Sequence, residues 1–226
     1  MEIKFRTKQK SKIVDIDNSI LSIQTSDTSL VNNLIEDYDV VVIDNRNDYF
    51  ISDTVLNEIA SYNKYPELPL VYEVLKILDL DVSFMDKEII TLSRTERYFL
   101  NLLRNISKLN KIIFFKDIFL GSDLSVQKRL LKVINYLKSK DYIVIISSSD
   151  VDVLYKNSDY SLISNKSNIM FDTTEEIYSD VKTLMKYKLD IPTLSYITYK
   201  AKEEKNIKLF YSKDVRDIIK DIYKHV

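Results

Sequence analysis

Apolar positions along the chain fall into two kinds of run. The stretches MEIKF, KIVDI and ILSIQ near the start are short and read as strands. YDVVVID (38–44), NKIIFFK (110–116) and YIVIISS (142–148) are continuous and rich in β-branched or aromatic residues. Such runs predict strands buried on both faces. Elsewhere the apolar residues return every three or four positions. Leu70, Val71, Val74, Leu75 and Leu78 share one face of a helix over 68–78, and Tyr98, Leu102 and Ile106 one over 94–107. Val126, Leu130, Val133 and Leu137 do the same over 123–139. Ser93 and Glu96 have the spacing of a capping box, which starts the second of these helices.

Buried strands separated by helices predict an α/β fold around a mainly parallel sheet, preceded by N-terminal antiparallel strands. DYSLIS and SNIMFD follow the last core strand as a hairpin. Helical patterns then cover 173–187, 192–205 and 212–224, with Pro192 expected at the first helical position of the middle one. No internal repeat or low-complexity linker divides the chain. One domain over 1–226 is expected.

Composition narrows the chemistry. Lys and Arg total 33 against 34 Asp and Glu, which gives no basic field for nucleic acid. There is no cysteine, and the one histidine, His225, is next to the C-terminus and reads as a solvated tail residue. Thiolate metal sites and histidine catalysis are excluded on these grounds. No run reaches the ~20 apolar residues of a membrane span, and MEIKFRTKQK lacks a secretory apolar core. A cytoplasmic location is expected. Ala60 and Ala201 are the only alanines, and Ile, Lys, Asn, Asp and Tyr abound, a bias that suggests an AT-rich genome. Gly121 is the only glycine in 226 residues. Loops that wrap a phosphate need several glycines so that backbone N–H groups can approach it, so no conventional P-loop can exist here.

Three regions carry a family resemblance. TLSRTERYFLNLL, then KIIFFKD, IFLGSD, a helix and YIVIISSSD resemble the second half of an ATP-binding cassette. In that family a signature LSGGQ opens a helix, a strand ends in D-E-P-T-x-G-L-D, and a further strand ends in a switch histidine. Leu92 and Ser93 match the signature, and Arg94, Thr95 and Glu96 replace G-G-Q. Gly121 and Asp123 match the D-loop. Lys116 stands at the magnesium-linked aspartate, Asp117 at the catalytic glutamate and Ser149 at the switch histidine. DNRNDYFISDTVLNEIA (44–60) is similar to the Q-loop of energy-coupling factor importer ATPase subunits, with Asp44 in place of the glutamine. LDIPTLSYITYKAKEEKNIKL (189–209) resembles their C-terminal region, with Asn206 at a glycine position that a left-handed helix end would use. At the P-loop position SIQTSDTSLVNNL (22–34) keeps only Thr28, Ser29 and Leu30 as an echo, without the glycines or the phosphate-binding lysine.

The resemblance implies an ABC-ATPase-like fold, with a helical subdomain at about 52–108 and a helical C-terminal extension at about 172–226, in a subunit without its own ATPase activity. A charge such as that of Lys116 about 4 Å from Mg²⁺ costs roughly 8 kcal/mol at an effective dielectric near 20. No cofactor is expected to bind autonomously; Mg-ATP would be shared at a composite interface. Leu92, Ser93, Arg94, Thr95, Glu96, Gly121 and Asp123 would face the P-loop of an intact ATPase paralogue. Asn45, Asp48, Tyr49 and Phe50 would dock a transmembrane coupling subunit on the inner face of the cell membrane, in micronutrient uptake. Plainer roles stay open: Ser93 as an N-cap, Arg94 crowding the nucleotide or pairing with it, Asp117 as a solvated carboxylate, Ser149 as a cap before a helix at 150–156, and Asp44 as loop chemistry. Of Tyr49, Phe50, Tyr62 and Tyr65, two are expected in the core. The alternatives are a nucleotide-free scaffold or regulatory protein unrelated to transport, and an unrelated α/β domain.

Overall fold

The structure is a computed structural model that describes residues 1–25, 27–44, 46, 49–108, 110–165 and 168–224. The strands are β1 (Glu2–Arg6), β2 (Ser11–Asp15), β3 (Ile20–Thr25), β4 (Val40–Asp44), β5 (Ile112–Lys116), β6 (Ile143–Ile146), β7 (Tyr160–Asn165) and β8 (Asn168–Thr173). The α-helices are α1 (Thr28–Asp37), α2 (Val55–Tyr62), α3 (Leu68–Ile77), α4 (Arg94–Ile106), α5 (Leu124–Ser139), α6 (Val151–Asn157), α7 (Thr174–Ser179), α8 (Val181–Lys186), α9 (Thr193–Lys205) and α10 (Val215–Tyr223). Two compact units result, one of residues 1–34 with 148–226 and one of residues 35–147.

In the unit of residues 35–147, β4, β5 and β6 run parallel, and Asp44 lies beside Lys116 in the register of β4 and β5. All four residues of β6 and the first four of β5 are buried, as continuous apolar runs require. β4 departs from that expectation. Only Val41 and Ile43 of this strand are buried, in alternation with partly exposed neighbours, because one of its faces is less covered. Helix α4 begins at the capping box the sequence marks, where Ser93 and Glu96 each satisfy a backbone N–H of the other. Every residue from Tyr98 to Ile106 is buried, so α4 is enclosed all round rather than along one stripe.

In the other unit, β1 and β2 pair antiparallel, β3 and β7 pair parallel, and β7 and β8 form the expected hairpin. The core beside the hairpin gathers Tyr155, Ile163, Ile177, Tyr178 and Leu184. The tyrosine rings meet edge to face at 5.6 Å. The helical pattern at 173–187 is two helices, α7 and α8. Asp180 separates them, and its carboxylate accepts the Thr183 N–H at 3.1 Å, which starts α8 afresh. Pro192 precedes α9 at the cap position rather than standing at its first helical position. Asn206 closes α9 at φ 55°, ψ 27°, and its N–H donates to the Lys202 carbonyl. That is the left-handed end expected where a glycine is replaced by asparagine. No helix among the described residues is long and apolar enough to cross a membrane.

Candidate functional site

Parallel strands bring their carboxyl ends to one edge, the place where α/β sheets bind ligands. At the ends of β4 and β5 that edge carries four charges. Asp44 Oδ2 is 2.9 Å from Arg46 Nη2 and 3.4 Å from Lys116 Nζ. The same Arg46 nitrogen is 3.1 Å from Asp117 Oδ2. The Arg46 N–H and Nε each donate to Asp44 Oδ1 at 3.0 Å, so Asp44 holds Arg46 in a local turn. Partial burial by itself would raise the Asp44 pKa. Hydrogen bonds from Arg46, with the charges of Arg46 and Lys116, outweigh it and hold the carboxyl below its ordinary value. Asp117 adopts φ 49°, unusual for a residue with a side chain. Its N–H donates to Ser147 Oγ at 3.1 Å.

The loop after β5 explains the retained glycine. Leu120 N–H donates to Asp117 O and Ser122 N–H to Phe119 O, two tight turns in succession, and Gly121 takes φ 69° to make the second. A residue with a Cβ would be strained there. The Arg94 guanidinium lies over it: a Cβ on Gly121 would come 3.0 Å from Arg94 Nη2. Tyr98 Oη donates to Ile118 O at 3.1 Å, which fixes the same loop to α4. The signature-like and D-loop-like segments are therefore brought together. Leu92 is buried, Arg94 is exposed and Thr95 is partly exposed. Ser93 Oγ donates to Glu96 Oε2 at 2.7 Å, and Lys87 Nζ pairs with Glu96 Oε1 at 2.6 Å. These hydrogen bonds, that from Lys87 foremost, lower the Glu96 pKa to about 2, so a full negative charge sits at the start of α4. Asp123 caps α5 through the Val126 N–H.

The P-loop-like segment lies in the other unit. Two positions, 26 and 27, separate β3 from α1. Asp27 Oδ1 accepts both the Ser29 N–H, at 3.0 Å, and the Ser29 hydroxyl, at 2.7 Å. The helix start that would attract a phosphate already holds a carboxylate of its own chain. Thr28 is exposed and Leu30 is buried. Ser149 is exposed and is not the cap of α6. Asp150 is, by accepting the Asp152 N–H at 2.9 Å, because its carboxylate reaches two residues on.

Sequence reasoning missed one buried network. Arg104 Nη1 pairs with Glu58 Oε1 at 2.7 Å, with side chains 3% and 1% exposed. The same nitrogen donates to Tyr49 O at 2.7 Å, and Arg104 Nε donates to Asn101 Oδ1 at 3.2 Å. Glu58 Oε2 accepts the N–H groups of Ile51 and Ser52, each at 3.0 Å. Asn101 Nδ2 donates to Asp44 O at 2.8 Å. The network thus ties the end of β4 to residues 49–52. Phe50 and Tyr62 stack on the Arg104 guanidinium at 4.6 and 4.7 Å. None of the four aromatics expected to divide between core and surface is buried. Tyr49 and Tyr65 are 75% and 73% exposed, and Ile51 is 66% exposed. Glu58 lies in the Q-loop-like segment 44–60, and nothing in the sequence joins it to Arg104. Asn45, Asp48 and His225 lie outside the described residues.

Mg-ATP, which the resemblance implies, does not fit these residues. In one unit Asp27 already accepts from the start of α1, and in the other two cations pair with the carboxylates at the strand ends. Among the described residues no group of three or more His, Asp or Glu side chains could hold a metal ion.

Comparison with known proteins shows the fold. No family model and no curated protein matches the chain. Solved structures do. CbiO1 of Clostridium perfringens, part of the ABC transporter complex CbiONQ, matches with TM-score 0.62 and 14% identity over 88% of this chain and 96% of that one. An inward-facing ABC transporter described as of metal-chelate type matches with TM-score 0.62 and 17% identity, over 80% and 81%. An ATP-binding subunit of an ABC transporter matches with TM-score 0.60 and 12% identity, over 76% and 85%. The chain has the fold of ABC transporter ATP-binding subunits.

Proposed function

We propose that this chain is a catalytically degenerate ABC subunit of an importer of the energy-coupling factor type. It pairs with an intact ATPase paralogue and couples that partner's ATP hydrolysis to membrane components for micronutrient uptake. The observation that carries this reading is the combination of an ABC subunit's fold with strand ends and a helix start whose charges are already satisfied within the chain. A fold kept after its own chemistry is lost serves as scaffold and contact surface.

In this reading Mg-ATP is held by the partner and shared at a composite interface. Ser93, Thr95, Glu96, Gly121 and Asp123 form the facing surface, with Leu92 buried beneath it and Arg94 as its cation toward the phosphates. The exposed Tyr49 and Ile51, with Phe50, Asn45 and Asp48, dock the membrane subunit. The likeness to CbiO1, itself part of a transporter complex, supports a place at the inner face of the membrane.

The test is purification of the tagged chain from its native membranes with identification of what accompanies it. The reading expects an ATPase with a complete G-x-x-G-x-G-K-[ST] loop and an integral membrane protein. Tyr49→Asp with Ile51→Asp should lose the membrane protein, keep the ATPase and leave the melting temperature unchanged. A soluble monomer or homodimer with neither partner contradicts it.

A further inference from the structure

We propose that the Arg46 guanidinium is a resident cation that takes the place of a divalent metal between Asp44 and Asp117. The proposal rests on the reading above for what once occupied this edge, and on geometry for what occupies it now. One nitrogen, Arg46 Nη2, is within 3.1 Å of a carboxylate oxygen from each aspartate. The two aspartates come from the ends of neighbouring parallel strands, since Asp44 stands beside Lys116 and Asp117 follows it. Two like charges so placed repel unless a cation lies between them. Lys116, 3.4 Å from Asp44, adds a second positive charge from the strand itself.

The backbone is arranged around this bridge. Asp44 accepts from both the main-chain N–H and the side chain of Arg46, so the guanidinium is aimed by the residue it neutralises. Asp117 holds a left-handed conformation. Strained positions of this kind persist where the surroundings fix them. Arginine stays protonated at any physiological pH and cannot dissociate from the chain. The bridge therefore pairs Arg46 with both aspartates with no nucleotide or metal needed, as a half-exposed ion pair that salt screens. A magnesium ion in the same place would join them only when bound.

The full chain, isolated, suffices for the test. Its melting temperature is measured with and without millimolar Mn²⁺ for the natural protein, for Arg46→Ala with Lys116→Ala, and for that pair with Asp117→Asn added. The natural protein should not respond. The double variant should melt lower and regain about 2–4 °C when Mn²⁺ is added at several times its dissociation constant. The triple variant should lose that rescue. Stabilisation of the natural protein by Mn²⁺, or a double variant indifferent to it, overturns the proposal. Neither result bears on capture of the partner ATPase, so the two readings fail separately.

Discussion

Arg104 and Glu58, 46 positions apart in the chain, form an ion pair with both side chains almost wholly buried. Such a pair is tolerated only when its remaining hydrogen-bonding capacity is met. Here Tyr49 O, Asn101 Oδ1 and the N–H groups of Ile51 and Ser52 meet it. Arg104→Leu leaves the Glu58 carboxylate buried without its cation, which costs about 3–5 kcal/mol. Thermal denaturation should show a fall of roughly 10 °C. Glu58→Leu together with Arg104→Leu should be less damaging than Arg104→Leu alone. A single variant that melts with the natural protein refutes this account of the network.

Gly121 makes a different prediction. Gly121→Ala places a Cβ residue at φ 69° and should cost about 1–2 kcal/mol in denaturant unfolding. Gly121→Asn should cost less, because asparagine visits this region more readily. The nearest obstacle to the new Cβ is the end of the flexible Arg94 side chain, which can move aside. Adding Arg94→Ala should therefore not rescue Gly121→Ala. Full rescue would mean that crowding, not backbone strain, keeps the glycine.

Glu96 links stability to pH. Its folded pKa of about 2 is below the ordinary 4.5. The contribution is thus present above pH ~4.5 and is lost as the pH falls toward 2. Because the pair with Lys87 is partly solvated, screening keeps the effect below about 1 kcal/mol. Glu96→Gln retains a capping group but no charge. Unfolding free energies measured from pH 6 to pH 2 should converge for the two proteins at the acid end. Parallel curves would contradict the assignment.

Much of the fold could be read from local pattern. IIFF and IVII are apolar at successive positions because β5 and β6 are covered on both faces. The start of α4 was visible because both halves of its capping box lie within four residues. The break at Asp180 was not, since the apolar spacing runs on through it and only the side chain's bond to Thr183 reveals a new helix. Asp150 rather than Ser149 caps α6 for a similar reason: two cap-forming residues stand side by side, and the fold selects one. At the candidate site, the need for a glycine at 121 was legible, and its φ of 69° in a tight turn gives the reason. Arg46 was not, because its role depends on Asp117, which is distant in sequence and brought near by the parallel pairing of β4 and β5. Arg104 was hidden inside a helix whose apolar stripe gave no sign that its polar residues are buried too.

Titration calorimetry of the isolated chain with Mg-ATP tests the central claim most directly. If Asp27 closes the start of α1 and Arg46 and Lys116 occupy the aspartates at the strand ends, no saturable heat should appear at micromolar nucleotide. A micromolar dissociation constant for Mg-ATP, lost on removing the metal, would contradict the account.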